Sequence, residues 1–270
     1  MARLRRRPRD PEGRMTLSEH LREFRRRLFI AAAAVIVGAV VAGFYYSEIF
    51  DLLTDPFYEY ARNNPQVDAS INFAEATAAL SNLISLSIFV GIIGSSPVWL
   101  YQIWAFIVPG LTRKEKRISL AFLGATIPLF LLGCGLAYAI LPQSLSILYG
   151  LSPSGTSNIQ QASMYFSFVT RFILVFGIGF LFPVVLVGLN AIGAMPAARL
   201  IKGWRIAVVL IFVFAAVATP TADPFTMFVF ALPLTALYFG AWLVCRRLDK
   251  RKAANRPDWL DVDDTEASQL

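Results

Sequence analysis

The chain has 270 residues, of which 56% are hydrophobic and 16% are charged, with a formal net charge of +7 and a mean hydropathy of +0.57. Soluble domains carry about 25% charged residues, so this composition excludes an ordinary soluble protein and indicates a polytopic membrane protein. The basic residues stand between long apolar segments, which favours a membrane surface over nucleic acid as the reason for the positive charge.

The N-terminal part of the chain predicts a basic arm followed by an amphipathic helix. Residues 1–14 are rich in arginine and contain two prolines and a glycine, which is typical of a disordered segment. In residues 15–28, MTLSEHLREFRRRL, apolar side chains recur every three or four positions and arginines fill the other faces. We expect this helix to lie along the membrane surface, with the chain then turning into the bilayer.

The next segment is apolar and allows two interpretations. Arg25, Arg26 and Arg27 ahead of an apolar run resemble a twin-arginine export signal. However, the run from Phe29 to Tyr46 has 18 residues, which is longer than the apolar region of a usual signal peptide, and further apolar segments follow. A retained first transmembrane helix is therefore the better interpretation.

Six apolar segments predict six transmembrane helices, since a bilayer core about 30 Å thick needs about 20 helical residues. Their expected bounds are Leu28–Tyr46, Leu80–Leu100, Ile118–Leu141, Met164–Leu189, Trp204–Ala218 and Phe225–Cys245. The fifth would be only about 22 Å long at about 1.5 Å per residue, and the sixth follows after TPTADP, so these two form a short hairpin. Helical spacing around Ile49–Tyr60 predicts an interfacial cap, whereas the composition of residues 142–163 predicts a loop.

The distribution of basic residues predicts the orientation of the helices. Nearly all of the 25 lysines and arginines fall in four groups, before residue 28, in 113–117, in 199–205 and after residue 245. The exceptions are Arg62 and Arg171. The four groups lie on one side of a six-helix bundle, which the positive-inside rule makes the cytoplasmic side. We therefore expect both termini in the cytoplasm, a transmembrane domain over residues 15–247 and a charged cytoplasmic tail over residues 248–270.

Catalytic and metal-binding patterns find little support in the sequence. His20 is the only histidine, and the sequence contains no cysteine and histidine cluster, no phosphate-binding loop and no dinucleotide fingerprint. Cys134 and Cys245 fall in or at the end of apolar runs, which favours buried free thiols over a disulfide. We therefore expect no enzyme activity, no cofactor and no nucleic-acid partner.

Two acidic residues stand out because each lies within a basic patch on the predicted cytoplasmic side. Glu23 lies among the arginines of residues 22–27, and Glu115 lies among the bases of residues 113–117. One hypothesis is local charge relief, since Glu23 has arginines three and four residues later, and each such pair stabilises a helix by about 0.2–0.5 kcal/mol. The other hypothesis is an acidic pocket for a cationic ligand, because a carboxylate accepts two parallel hydrogen bonds from a guanidinium.

Four stretches of the sequence together resemble one family. The chain resembles the TatC family, which is the receptor subunit of the twin-arginine protein translocase. The stretches that carry the resemblance are, in chain order, HLREFRRRL, YQIWAFIVPGLTRKEKR, FGIGFLFPVVL and TPTADPFTMFVFALPL. The resemblance covers about residues 15–245 and implies a concave six-helix bundle in the cytoplasmic membrane of a bacterium. It further implies binding of twin-arginine signal peptides, assembly with the single-span TatA and TatB subunits and with further copies of the chain, and export of folded proteins driven by the proton-motive force.

By position, the resemblance assigns signal-peptide binding to four residues of this chain. Glu23 and Glu115 match the two signal-binding acids of the family. Arg25 matches the arginine of the N-terminal motif, and Phe106 matches the aromatic residue ahead of the second acid. Plain packing explains Phe106 equally well from the sequence alone.

Other positions of the resemblance concern structure and translocation. Pro56 matches the proline of the first external cap, although a plain loop bend explains it equally well, and Asp223 matches the acid in the turn between the fifth and sixth helices. Many family members carry a glutamate in the fourth helix where this chain has Leu181, and Arg171 lies within the same helix. We expect Arg171 to face a polar interior or to extend toward water, because a buried unpaired arginine is costly.

The main alternative from another class is a small-solute transporter that binds an anion at Arg171. Such transporters are often built from inverted repeats with discontinuous helices beside a midplane site, and the sequence shows neither feature. An intramembrane enzyme is a second alternative, which the missing catalytic groups disfavour.

Overall fold

The computed structural model of the chain describes residues 17–63, 69–73, 76–107, 113–150, 158–191, 193–218 and 224–254. These ranges contain helices α1 (Leu17–Phe44), α2 (Tyr46–Asn63), α3 (Ala78–Gly94), α4 (Ser96–Ile107), α5 (Arg113–Gly150), α6 (Ala162–Gly179), α7 (Phe182–Ala191), α8 (Ala197–Lys202), α9 (Trp204–Ala218) and α10 (Pro224–Ala254), and strands β1 (Ala69–Asn72) and β2 (Asn158–Gln161). The expected basic arm, residues 1–14, lies outside the described residues. Packing divides the chain into two compact units, which meet in sequence between Gly177 and Ile178.

Helix length and apolarity confirm the class of an α-helical polytopic membrane protein. Within the described ranges, four helical segments are long and apolar enough to cross a bilayer: Ser18–Phe44, Gly124–Leu148, Ala162–Ala191 and Met227–Ala254. A fifth arises if the bent pair α3 and α4 forms one span, and α9 is a shorter apolar helix with the bounds that the sequence predicts. The count of six spans and the side of the termini stay predictions.

Helix α1 corrects the expected surface helix that turns into the bilayer. It continues without a break from Leu17 to Phe44, so the amphipathic stretch and the first apolar segment are one helix. The residues across the expected turn, RRRLFIAAAA, contain no glycine or proline, and arginine, leucine and alanine are strong helix formers. The arginine-rich end of α1 is therefore a rigid extension of its apolar part.

A close approach of two glycines sets the packing of α1 against α3. A Cβ atom built on Gly91 would lie 2.6 Å from the Ala39 nitrogen and 2.7 Å from the Val35 oxygen, and one on Gly38 would lie 3.1 Å from the Gly91 Cα. Small residues let membrane helices approach to backbone contact in this way. Since α4 follows α3 directly, this contact also brings α4 to α1.

The second predicted helix, Leu80–Leu100, is wrong as a single straight element. It divides into α3 and α4, which are bent by 60° at Ser95. The break lies in Gly-Ser-Ser-Pro, and Pro97 falls in the first turn of α4, where a missing N–H group is tolerated. The Trp99 indole nitrogen donates to the Ile92 carbonyl oxygen at 2.8 Å, which ties the two arms together.

The predicted cap around Ile49–Tyr60 is a helix, α2, and two tyrosines tie it to the rest of the first unit. The Tyr138 hydroxyl of α5 donates to the Leu52 carbonyl oxygen at 2.9 Å, and the Tyr165 hydroxyl of α6 donates to the Leu53 carbonyl oxygen at 2.7 Å. The buried ring of Phe57 meets that of Tyr165 edge-on, with centroids 5.6 Å apart. The aromatic core of this unit lies at this junction.

A further prediction of the element pattern, the loop over residues 142–163, is wrong in part. Residues 142–163 are not a loop throughout, because α5 continues to Gly150 and β2 occupies Asn158–Gln161. Strand β2 pairs in parallel with β1, with Ala69 opposite Asn158, so a small two-stranded sheet joins two connecting segments. Each strand has only four residues, which is too short for a recognisable alternating pattern.

The second unit contains the short fifth helix and a sixth helix that is longer than predicted. α10 continues from Pro224 to Ala254, so the first residues of the expected tail, 248–254, are helical.

The fourth predicted helix, Met164–Leu189, is interrupted by a turn at Phe180 and Leu181, between α6 and α7. Cys134 and Cys245 are both buried free thiols, as predicted.

Candidate functional site

The N-terminal half of α1 packs against α4 through three aromatic rings. The ring of Phe106 on α4 stacks on that of His20, with centroids 4.5 Å apart and an interplanar angle of 25°. The ring of Phe24 lies 5.2 Å from the same Phe106 ring. His20 and Phe24 are four residues apart and therefore share one face of α1. We call His20, Phe24 and Phe106 the ring cluster.

Next to the ring cluster, Glu23 forms the ion pair that its sequence spacing predicts. An Arg27 terminal nitrogen, Nη2, lies 2.6 Å from Glu23 Oε1, and the two side chains are 22% and 27% exposed for Arg27 and Glu23. The other terminal nitrogen of Arg27, Nη1, donates to Gln102 Oε1 on α4 at 3.4 Å. Glu23, Arg27 and Gln102 form a polar cluster that bridges α1 and α4.

The polar cluster is not fully satisfied. Arg27 Nε is buried and has no hydrogen-bond partner within the described part of the chain. A buried donor without an acceptor is unfavourable by about 1–3 kcal/mol. The guanidinium is therefore held by its two terminal nitrogens while its third nitrogen position is left unused.

Arg25 is not brought together with Glu23. It is exposed, and its guanidinium carbon lies 5.6 Å from the centroid of the Phe29 ring, which is the geometry of a cation–π contact. Residues two apart do not face each other on a helix, so Arg25 and Glu23 point to different sides of α1. Of the four residues assigned to signal-peptide binding, Glu23 and Phe106 lie in one place and Arg25 lies on another face.

Glu115 belongs to the first turn of α5, which begins at Arg113. Its side chain lies outside the described residues, so its expected part in signal-peptide binding stays a prediction. Asp223 also lies outside the described residues.

Pro56 lies on α2 and Arg171 lies on α6, both in the first unit, whereas the ring cluster lies on α1 and α4. Pro56 is buried inside α2, where it removes an N–H group from the helix and is not a loop bend. Arg171 is exposed on α6. Exposure agrees with both expected placements of Arg171, facing a polar interior or extending toward water, so the choice between them stays a prediction.

Leu181 lines a cavity of about 900 Å³ in the second unit. Its neighbours there are mainly apolar and include Phe182, Leu210, Phe214 and Leu234, with Arg199 as the charged residue of the lining. A glutamate at this position would face hydrocarbon side chains, so leucine suits the surroundings that this chain provides.

Gln102 is the residue of the cluster that the sequence did not single out. Its spacing from Phe106 is four, which puts both on one face of α4, and this is the signal that could have found it. The sequence marks His20 only as the single histidine, and its ring contact depends on Phe106, which is distant in sequence. Across the described residues, no group of three or more histidine, cysteine, aspartate or glutamate side chains could hold a metal ion.

Comparison with known proteins explains why these residues occur in this order. The family profile described as Sec-independent protein translocase protein (TatC) matches residues 19–233. The chain belongs to the TatC family. The TatC protein of Xylanimonas cellulosilytica is 46% identical over 244 residues, which cover 89% of this chain and 88% of that protein. The TatC protein of Aquifex aeolicus is 37% identical over 227 residues, which cover 83% of this chain and 92% of that protein.

Solved structures agree with this assignment. A crystal structure of the twin-arginine translocase receptor TatC in DDM superposes with a TM-score of 0.73 at 34% identity, covering 84% of this chain and 99% of that chain. A second crystal structure of the receptor gives a TM-score of 0.71, also at 34% identity, with 88% and 100% covered. TatC family membership and the apolar helices make the chain a multi-pass membrane protein of protein transport, and they give no support to a small-solute transporter with an anion site at Arg171.

Proposed function

We propose that the chain is the receptor subunit of a twin-arginine translocase, which binds the signal peptides of folded cargo proteins at the cytoplasmic face. The observation that supports this most directly is the placement of Glu23. Its carboxylate is partly exposed, lies beside the ring cluster and is already engaged by a guanidinium, that of Arg27. A site that holds one guanidinium has the chemistry to hold another.

The chemistry of the site fits an arginine side chain of a peptide. A carboxylate accepts two parallel, charge-assisted hydrogen bonds from a guanidinium, and an aromatic face attracts its positive charge. Phe24, the neighbour of Glu23 on α1, and Phe106 on α4 provide two such rings, with centroids 5.2 Å apart. Glu115 would supply the second acid for the second arginine, as the resemblance implies. A lysine would provide a point charge instead of a planar fork and would bind less well.

The partners and the setting follow from family membership. We expect the chain to assemble with the single-span TatA and TatB subunits and with further copies of itself in the cytoplasmic membrane of a bacterium, where the proton-motive force drives export. The concentration of arginines and lysines at the start of α1, in α8 and at the end of α10 supports cytoplasmic termini. The role is one of recognition and assembly and not of catalysis.

Substitution of the two acids tests this function. Glu→Gln keeps the shape of the side chain and removes its charge, so Glu23→Gln and Glu115→Gln should each weaken crosslinking of a twin-arginine peptide. Loss of a charge-assisted hydrogen bond is worth about 1.5–3 kcal/mol, or roughly a tenfold to over a hundredfold loss of affinity. Glu48→Gln is a matched control, because Glu48 is an exposed acid in the first turn of α2. Undiminished crosslinking in both site variants, at matched protein levels, would contradict the proposal.

A further inference from the structure

Glu23 is already occupied in the structure. Arg27 Nη2 lies 2.6 Å from Glu23 Oε1, and both side chains are shielded from water over about three quarters of their surface, being 22% and 27% exposed. An arginine of a bound peptide would need the same carboxylate oxygens. Two guanidinium groups on one carboxylate would repel each other at close range, so the two modes of occupancy compete.

A second place for Arg27 is present on α4. Gln102 Oε1 accepts from Arg27 Nη1 at 3.4 Å, a long hydrogen bond that could shorten if the guanidinium moved away from Glu23. Arg27 Nε is buried and finds no acceptor among the residues that the structure describes, so the present arrangement of this guanidinium leaves a donor unused. The amide oxygen of Gln102 already accepts from Arg27 and therefore offers this guanidinium a second anchor on α4.

We propose that Arg27 is an internal competitor for the signal-peptide site: it occupies Glu23 in the empty receptor and moves toward Gln102 when a peptide arginine binds. This inference rests on the proposed function of Glu23. The apparent affinity for any ligand of Glu23 is its intrinsic affinity multiplied by the fraction of empty receptors in which the Glu23 carboxylate is free of Arg27. Because that fraction is a property of the empty receptor, Arg27 lowers the affinity for every such ligand by the same factor.

This equality of factors separates a competitor from a residue that touches the peptide. If Arg27 were a direct contact of the peptide, its removal would change the ratio of affinities for twin-arginine and twin-lysine peptides. If Arg27 only competes for Glu23, its removal raises both affinities and leaves the ratio unchanged. General electrostatic repulsion of a cationic peptide predicts a third pattern, in which any nearby arginine has the same effect.

The test measures binding of a twin-arginine peptide and of its twin-lysine variant to the full-length receptor in membranes. Arg27→Gln should tighten both by roughly two- to tenfold, since partly exposed ion pairs contribute modestly and their loss frees the carboxylate. Arg27→Lys retains the charge and should stay close to the parent. Arg26→Gln is the matched control, because Arg26 is exposed and its loss changes the net charge equally. An effect of Arg26→Gln as large as that of Arg27→Gln, or weaker binding in Arg27→Gln, would overturn the inference.

Two further variants separate failure of this inference from failure of the proposed function. In a Glu23→Gln background, Arg27→Gln should produce no tightening beyond that of Arg26→Gln, because the contested carboxylate is gone. Gln102→Leu removes the second place for Arg27 and should weaken binding of both peptides, and it gives a result even if Arg27→Gln folds poorly. If Glu23→Gln weakens binding but Gln102→Leu and Arg27→Gln leave it unchanged, only the competitor is refuted. If Glu23→Gln has no effect, the site itself is refuted.

Discussion

At the scale of single residues, Pro56 shows how one missing donor determines its surroundings. A proline inside a helix leaves the carbonyl four residues earlier without its helical N–H partner, and here that carbonyl belongs to Leu52. The Tyr138 hydroxyl donates to this Leu52 oxygen at 2.9 Å and replaces the lost bond. Tyr138, which lies 86 positions after Leu52 in the sequence, therefore compensates for the N–H group that Pro56 lacks.

The replacement of one hydrogen bond by another makes a quantitative prediction. Tyr138→Phe removes the donor and should lower the free energy of unfolding by about 0.5–1.5 kcal/mol, because a typical hydrogen bond contributes this much. In a Pro56→Ala background, residue 56 regains an N–H group for the Leu52 carbonyl, so the same Tyr138→Phe change should cost less. Denaturation of the purified protein in detergent gives the four values of this cycle. Equal effects of Tyr138→Phe in both backgrounds would show that the hydroxyl does not compensate for the proline.

At the scale of elements, the end of α10 is hydrogen-bonded to the end of α7 and the start of α8. Asp249 Oδ1 accepts from Asn190 Nδ2 at 2.8 Å, and Asp249 Oδ2 accepts from the Ala197 backbone nitrogen at 2.7 Å. The Lys252 ammonium donates to the carbonyl oxygens of Asn190 at 2.7 Å and Ala191 at 3.0 Å. These bonds satisfy the last carbonyls of α7 and the first N–H group of α8, which have no partners within their own helices.

These bonds of Asp249 and Lys252, which we call the clasp, predict that the helical part of the expected tail is structural. Asp249→Ala leaves the Ala197 N–H group without its acceptor and removes one of the two acceptors of the Asn190 amide nitrogen, which keeps the Met195 carbonyl oxygen at 3.0 Å. The change should therefore lower stability by about 1–3 kcal/mol. Lys250→Ala, at the exposed neighbouring position, should be nearly neutral. Limited proteolysis of residues 191–203 and thermal denaturation would measure both. Equal behaviour of the two variants would show that the clasp contributes nothing.

The elements also show what the sequence can and cannot reveal. The bounds of α9 follow from composition alone, because Gly203 precedes it and an apolar run fills it. The bend between α3 and α4 has a local cause in Gly-Ser-Ser-Pro, yet a hydrophobic pattern does not report the direction of a helix. The pairing of β1 with β2 and the helical end of α10 depend on partners distant in sequence. Such contacts carry no signal within the segments that make them.

The candidate site also has one part that the sequence predicts and one part that it does not. The Glu23–Arg27 pair follows from i, i+4 spacing, and the structure contains it. The ring cluster and the bond to Gln102 arise because Gly38 and Gly91 let α3, and with it α4, approach α1. No spacing rule within α1 could identify Gln102 as a partner of Arg27.

At the scale of the whole molecule, the basic residues predict which side of the membrane each exposed position faces. Arg62 lies on α2 between the first two apolar segments, whereas Lys250 lies near the end of α10, and both are exposed. Six spans with cytoplasmic termini put Arg62 outside and Lys250 inside. An odd number of spans would separate the two termini.

Cysteine labelling in intact cells tests this arrangement. The native Cys134 and Cys245 are buried, so the parent chain should give a low background with a membrane-impermeant maleimide. Arg62→Cys should label in intact cells, whereas Lys250→Cys and Arg205→Cys should label only after permeabilisation, since each of these positions is exposed and the last two lie within basic groups. Labelling of Lys250→Cys but not Arg62→Cys from outside would invert the orientation. A third pattern is labelling of Arg62→Cys and Lys250→Cys from outside while Arg205→Cys stays protected. With the N-terminus inside, this pattern would place the C-terminus outside, which only an odd number of spans allows.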